Sequence, residues 1–308
     1  MPPQQVDATF QATKSIVPGL LLAGGGAVAF SGKAIIVKLS YRYGVDAVTV
    51  IMYRMLFALP IFLVMAWWAG RGKPALTRTD WIGVVGLGFG GYYLASFLDF
   101  LGLQYVSASL ERLILYLNPT LVMLLGWLLF DKKFTLRQIA GMAVSYCGVA
   151  LVFAREANFA SGTNTGLGAL MVFASAASYA GYLVYSGQLV KRLGSLRLVG
   201  LATTVACLCC ILQFLLLKPL SAALVAPEVI WLAVLNATLC TALPVLMVMM
   251  GIERIGATLS AQTGMIGPMS TILMGVLILD ERFTTTIAIG TVLVLIGIYI
   301  FTRSPRAK

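Results

Sequence analysis

The sequence predicts an all-α membrane protein whose ten transmembrane helices form two inverted five-helix repeats. Three observations lead there: apolar runs of bilayer length, one sequence offset relating the two halves, and a lopsided spread of basic residues among the loops. Of 308 residues, 60% are apolar and 11% charged, against roughly 45–50% and 25% in soluble domains. So little charge excludes a disordered chain and a nucleic-acid-binding tail. The net charge of +11 arises between apolar runs and calls for no nucleic-acid partner. Histidine is absent, which removes His-based metal sites, Ser/Cys–His nucleophiles and histidine proton relays together.

A membrane helix takes about 20 apolar residues to cross about 30 Å of hydrocarbon. Runs of that scale occur at Val17–Leu39, Ala47–Trp68, Trp81–Leu103, Ala108–Phe130 and Leu136–Phe153. The second half supplies Gly168–Leu189, Leu196–Leu217, Val229–Met250, Ala257–Leu279 and Thr285–Phe301. These runs are continuously apolar and do not alternate with period two, so a β-barrel is excluded. The polar start, MPPQQVDATFQATK, lacks a signal peptide's short apolar core and cleavage site, so the first run is expected to remain in the mature protein. Cys147, Cys207, Cys209, Cys210 and Cys240 all fall inside apolar runs and read as packing residues, not as a disulfide framework.

Ten crossings put both termini on one side. With the termini cytoplasmic, fourteen basic residues lie in inner segments and five in outer ones, the bias expected of cytoplasmic loops. The expected location is therefore the plasma (bacterial inner) membrane. Expected boundaries are a cytoplasmic tail (1–16), a first repeat (17–154), a connecting loop (155–167), a second repeat (168–302) and a cytoplasmic tail (303–308).

The halves align at one ungapped offset of 149 residues, which lays Gly102 over Gly251, Pro119 over Pro268, Asp131 over Asp280 and Thr135 over Thr284. Gly141/Gly290, Gly148/Gly297, Gly19/Gly168 and Gly32/Gly181 follow the same offset. An odd number of spans per repeat inserts the halves upside down relative to each other. Inverted repeats are a common plan of secondary transporters.

Ten spans, the five-plus-five repeat and the shared "P…G…(D/E)(K/R)…T…G…G" ending resemble the drug/metabolite transporter superfamily, specifically its EamA-type members, over nearly the whole chain. The resemblance implies a central cavity surrounded by the first four spans of each repeat, with the fifth and tenth packed outside. It also implies export of amino acids and other small metabolites, with uptake of vitamins or other solutes by some members, and says little about substrate.

Five ionisable residues lie within spans: Lys33, Arg54, Asp99, Glu111 and Arg112. All belong to the first repeat, and at 1.5 Å per residue each lies roughly 5–10 Å below the outer surface. Burying such charges is costly, so two readings stand. In one, Lys33 and Arg112 snorkel to the headgroups and Asp99 bridges Arg54. In the other, the cluster lines a vestibule or gate, where three cations against two acids leave one positive charge for a substrate carboxylate. Lys33, beside Gly32, is the leading candidate for that charge.

A second tier near the midplane contains Tyr92, Tyr93, Tyr116, Asn118, Tyr179 and Tyr182, with Asn236 and Gln262 as weaker members. Aromatic rings with one polar tip suit a mostly apolar cavity with a few directed hydrogen bonds; helix packing is the alternative for each. Adjacent helix residues point about 100° apart, so only about half face inward. Pro119 and Pro268, at equivalent positions of the fourth and ninth spans, are hinge candidates or passive kinks, each freeing a carbonyl four residues earlier. The GGG at 24–26 and GFGG at 88–91 read as small-residue helix packing, since no phosphate-loop context surrounds them.

The expected activity is secondary transport, with export of small amino-acid-like or carboxylated metabolites leading and ion-coupled uptake of a vitamin- or nucleotide-like solute as alternative. No cofactor or metal is expected, and no nucleic acid. The expected partners are a small-molecule substrate, membrane lipids and a coupling proton or other ion; a homodimer is compatible with the sequence. From another class, an intramembrane enzyme using Asp99 and Glu111 lacks any supporting His or metal-ligand motif.

Overall fold

The computed structural model describes residues 16–130, 135–159, 164–248, 250, 251, 254, 263 and 266–302. Among them every regular element is a helix. The first repeat contains α1 (Val17–Arg42), α2 (Ala47–Gly70), α3 (Arg78–Gly102), a fourth span divided into α4 (Ala108–Leu115) and α5 (Asn118–Phe130), and α6 (Leu136–Phe159). The second contains α7 (Thr165–Leu193), α8 (Ser195–Leu217), α9 (Pro227–Val248), α10 (Ile266–Leu279) and α11 (Thr285–Thr302). Among the described residues, eight spans are long and apolar enough to cross a membrane, and two shorter apolar helices lie in α10 and α11.

Polar caps set where the helices begin. Asp46 accepts from Val48 N at 3.0 Å and Thr49 N at 3.4 Å to start α2. Thr77 and Asp80 form a reciprocal capping box for α3, and Ser107 accepts from Leu110 N at 3.0 Å to start α4. The repeated threonines of the DKKFT and DERFT segments have the same task. Thr135 Oγ1 accepts from Gln138 N and Thr284 Oγ1 from Ile287 N, both at 3.3 Å. These bonds satisfy donors that a helix start otherwise leaves unpaired.

Packing obeys the repeat. α2 packs against its equivalent α8, and α6 against its equivalent α11, so the pseudo-twofold axis passes between each of these pairs. The α1–α10 contact has its counterpart in α7–α5. Glycines bring α6 and α11 close: a Cβ on Gly148 meets Gly290 O at 2.6 Å, and one on Gly297 meets Gly141 O at 2.5 Å. The shared glycines of the two endings are thus one interface seen twice.

The third and eighth spans carry a feature that periodicity did not show. Each opens into a π-helical turn, Gly88–Leu94 in α3 and Thr238–Ala242 in α9, and the offset superposes the two. A π-turn is equivalent to one residue inserted into an α-helix and is frequent at functional sites. The GFGG segment also packs as expected, since a Cβ on Gly88 meets Ala202 O at 2.5 Å and one on Gly91 lies 2.3 Å from Tyr182 Cβ.

Candidate functional site

A cavity of about 600 Å³ lies between the repeats. Its walls come from the first four spans of one repeat and from α7, α8 and α9 of the other; among the described residues, α6 and α11 contribute nothing. The arrangement agrees with the expectation that the fifth and tenth spans pack outside.

One pole of the cavity is ionic. Lys33 on α1 pairs through Nζ with Asp99 on α3 and lies 3.3 Å from Glu111 Oε1 on α4. Arg112 Nε is 4.0 Å from Glu111 Oε2. Glu111 is fully enclosed (0% exposed) while Lys33, Asp99 and Arg112 reach the cavity wall. The Phe30 ring lies beneath two cations, 5.6 Å from Lys33 Nζ and 5.7 Å from Arg112 Cζ. On the neighbouring face of α1, a Cβ on Gly32 would meet Cys240 Sγ of the π-turn in α9 at 3.0 Å, so the two helices pass closely beside the ionic pole.

Arg54 on α2 stands apart. Its Nε donates to Thr241 Oγ1 at 3.0 Å, its guanidinium lies 5.2 Å from the Phe100 ring centroid, and its Nη1 has no hydrogen-bond partner. Thr241 in turn donates to Asn236 O at 2.8 Å. The expected Asp99–Arg54 bridge is therefore corrected: the acid pairs with Lys33, whose ammonium sits between two carboxyls where the pair is strongest. With two acids set against Lys33 and Arg112, the spare positive charge belongs to Arg54, not to Lys33. Snorkelling is likewise corrected, since Lys33 and Arg112 are each 5% exposed and turn inward to the acids.

The other pole is aromatic. Tyr92 packs edge-on against Tyr182 at 4.9 Å and Tyr179 at 6.2 Å, and the latter two stack at 5.6 Å. Tyr92 and Tyr179 line the cavity with Tyr116, Asn118 and Thr203, whereas Tyr182 is buried behind them. The repeat relates the poles residue by residue. Lys33 corresponds to Tyr182, Arg54 to Thr203, Phe30 to Tyr179, and Tyr92 to Thr241.

Several site expectations change. Tyr93 does not face the cavity but packs between Phe89 and Phe97, because the π-turn sets Tyr92 on the inner face. Asn236 is buried at the π-turn of α9 away from the wall. Gln262 lies outside the described residues. Pro119 is not within a continuous helix: the fourth span breaks after Leu115 and restarts at Asn118, so the proline occupies the first turn, where a missing N–H costs nothing. Pro268 falls in the first described turn of α10. Sequence reasoning missed Thr241, Ser96 and Ser175 on the wall; the repeat offset pointed to Thr241 through Tyr92.

Comparison with known proteins follows this geometry. Residues 17–154 and 166–303 each match the EamA-like transporter family. The chain is 30% identical over 278 residues to the uncharacterized transporter YcbK of Bacillus subtilis (strain 168), covering 86% of both chains. It is 25% identical to the uncharacterized transporter YetK of the same organism, over 80% of this chain and 76% of that one. An uncharacterized transporter of Archaeoglobus fulgidus is 21% identical, over 89% and 93% of the two chains. One solved crystal structure shares the fold with a TM-score of 0.60 at 20% identity, covering 92% of this chain and 94% of its own. With both repeats matched and the bundle closed around a cavity between them, the chain belongs to the EamA-like transporter family.

Proposed function

We propose that this transporter is a secondary active exporter of small amino-acid-like or other carboxylated metabolites. It works by alternating access across the plasma (bacterial inner) membrane, with both termini cytoplasmic. The basic residues of the inner loops support the orientation. Inverted repeats support the mechanism, because exchanging two similar conformations between the halves exposes a central cavity to each side in turn.

One observation carries the substrate class: the buried Arg54 guanidinium at the wall of a mostly apolar cavity has an unpartnered Nη1 and, among the described residues, no carboxylate within 4.0 Å, whereas Arg112, whose Nε and Nη2 are also without a hydrogen bond, has Glu111 4.0 Å away. An arginine binds a carboxylate with two parallel, charge-assisted hydrogen bonds. A substrate carboxylate supplies what the protein leaves out. The driving force is a gradient of substrate, proton or another ion.

The test is flux in vesicles reconstituted with purified protein, using a labelled aromatic monocarboxylate and reversed gradients to fix direction. Saturable flux of the acid, lost in Arg54→Gln, is the expected result. Flux that ignores both the carboxylate and the substitution overturns the reading.

A further inference from the structure

Resting on that carboxylate reading and narrowing it to carboxylated metabolites other than amino acids, we infer that the cavity selects a monoanionic organic acid with a mostly apolar body and discriminates against the zwitterionic amino acid of the same shape. The argument is charge balance in a buried site. Lys33, Asp99, Glu111 and Arg112 form one connected cluster in which each acid has a cation within 4.0 Å. With both acids ionised that cluster is neutral, and Arg54, which has no carboxylate within 4.0 Å among the described residues, adds one positive charge.

A bound monoanion brings the buried sum to zero. A zwitterion carries its own cation and leaves the sum positive, while an amine raises it further. Asp99 Oδ1 has no hydrogen-bond partner and belongs to a residue at the wall, yet the charge of Asp99 is already matched by Lys33. An α-ammonium placed there enters a neutral cluster and faces the guanidinium across its own carboxylate. Taking an ion out of water costs several kcal/mol unless an opposite charge awaits it.

The ring faces that attract a cation are also engaged at this pole. Phe30 lies under Lys33 and Arg112, and Phe100 under Arg54. Across the cavity from them, Tyr92, Tyr179 and Tyr182 pack on one another. Beyond the charged pole the wall is mostly carbon, with Met55, Phe62, Val122, Leu183 and Val245 drawn from both repeats, and its remaining polar groups, among them the unpartnered Asn118 Oδ1 and Thr203 Oγ1, are uncharged. The recognised molecule is thus an acid whose remainder is mostly apolar and uncharged.

Counterflow in reconstituted vesicles tests this with three probes of one skeleton: 3-phenylpropionate, L-phenylalanine and 2-phenylethylamine. Phenylpropionate is expected to exchange at least about tenfold faster than phenylalanine, since each 1.4 kcal/mol of discrimination is tenfold, and the amine is expected not to exchange. Arg54→Gln is expected to lose the exchange and Arg54→Lys to retain a measurable part, which separates loss of charge from loss of folding. Phenylalanine exchanging as fast as phenylpropionate overturns the monoanion inference and leaves carboxylate transport standing. Exchange of the amine alone, or of none of the three, overturns the carboxylate reading with it.

Discussion

Arg54 Nε donates to Thr241 Oγ1 at 3.0 Å, and the repeat turns this pair into Thr203 and Tyr92, neighbours on the same wall. One geometric position has therefore been given a charge in the first repeat and a hydroxyl in the second. The backbone plan is shared by the two halves, but the chemistry is not, so the cavity has an ionic and an aromatic pole. Four further expectations follow from specific contacts.

Lys33→Met is expected to damage the fold, not only transport. The substitution strips the ammonium from Asp99 and from Glu111, both buried, and stranding a buried charge costs about 3–5 kcal/mol. Adding Asp99→Asn is expected to restore part of that loss. Thermal unfolding of the purified single and double variants measures it. A Lys33→Met protein as stable as the wild type refutes the pairing.

The close crossing of α6 and α11 depends on absent side chains. A Cβ on Gly290 lies 2.4 Å from Val152 Cγ2 and 2.8 Å from Gly148 O, so Gly290→Ala is expected to destabilise by about 1–3 kcal/mol. Gly166→Ala, whose Cβ meets nothing within 4 Å, serves as the control and is expected to stay within about 0.5 kcal/mol of the wild type. Equal melting shifts in the two variants count against the interface.

Glu281, in the connection between α10 and α11, caps a helix of the opposite repeat. Its carboxylate accepts from Ala108 N and Ser109 Oγ, each at 2.8 Å. Glu281→Ala is expected to cost about 1–2 kcal/mol, the range for a lost N-cap, and to speed hydrogen exchange at the Ala108 amide. Unchanged exchange there means that the cap does not form in the bilayer. The repeat equivalent is Lys132, which has no oxygen to accept from an N–H, so this clasp cannot be copied at the other end.

Asp46, at the exposed start of α2, gives a pH dependence. Partial burial pushes its carboxyl up, but hydrogen bonds from Thr49 and Lys218, with the Lys218 charge 3.2 Å away, outweigh this and hold it below the ordinary aspartate range. A depressed folded value means that the ionised form stabilises the protein. The contribution is whole above the unfolded value of about 3.9 and is lost as pH falls through the lower folded value. Asp46→Asn is expected to flatten melting temperature against pH in that acid window. Identical profiles for the two proteins reject the linkage.

The sequence carried the bundle well, and it did so through particular residues. Apolar runs marked the spans, and Thr135 with Thr284 marked the starts of α6 and α11. Gly141, Gly148, Gly290 and Gly297 revealed a repeat that the packing uses directly. That the five charges within the spans include three cations and two acids was also legible, though only four of them form one connected group. Which cation is spare was not, because Lys33 and Arg54 sit on different helices at similar depth, and only their rotation decides which meets Asp99. Which of Tyr92 and Tyr93 faces the cavity was not legible for a related reason. A π-turn leaves composition and apolar run length unchanged while shifting the helical phase, so nothing in the pattern betrays it.

That phase shift reaches beyond one tyrosine. An α-helix turns about 100° per residue, so winding the same residues of α3 as an unbroken α-helix, without the wide turn at Gly88–Leu94, would swivel everything beyond it by that angle. Asp99 would no longer meet the lysine, and the ionic pole would come apart without any charged residue being touched. The turn is the keying that sets the angular register of the third span.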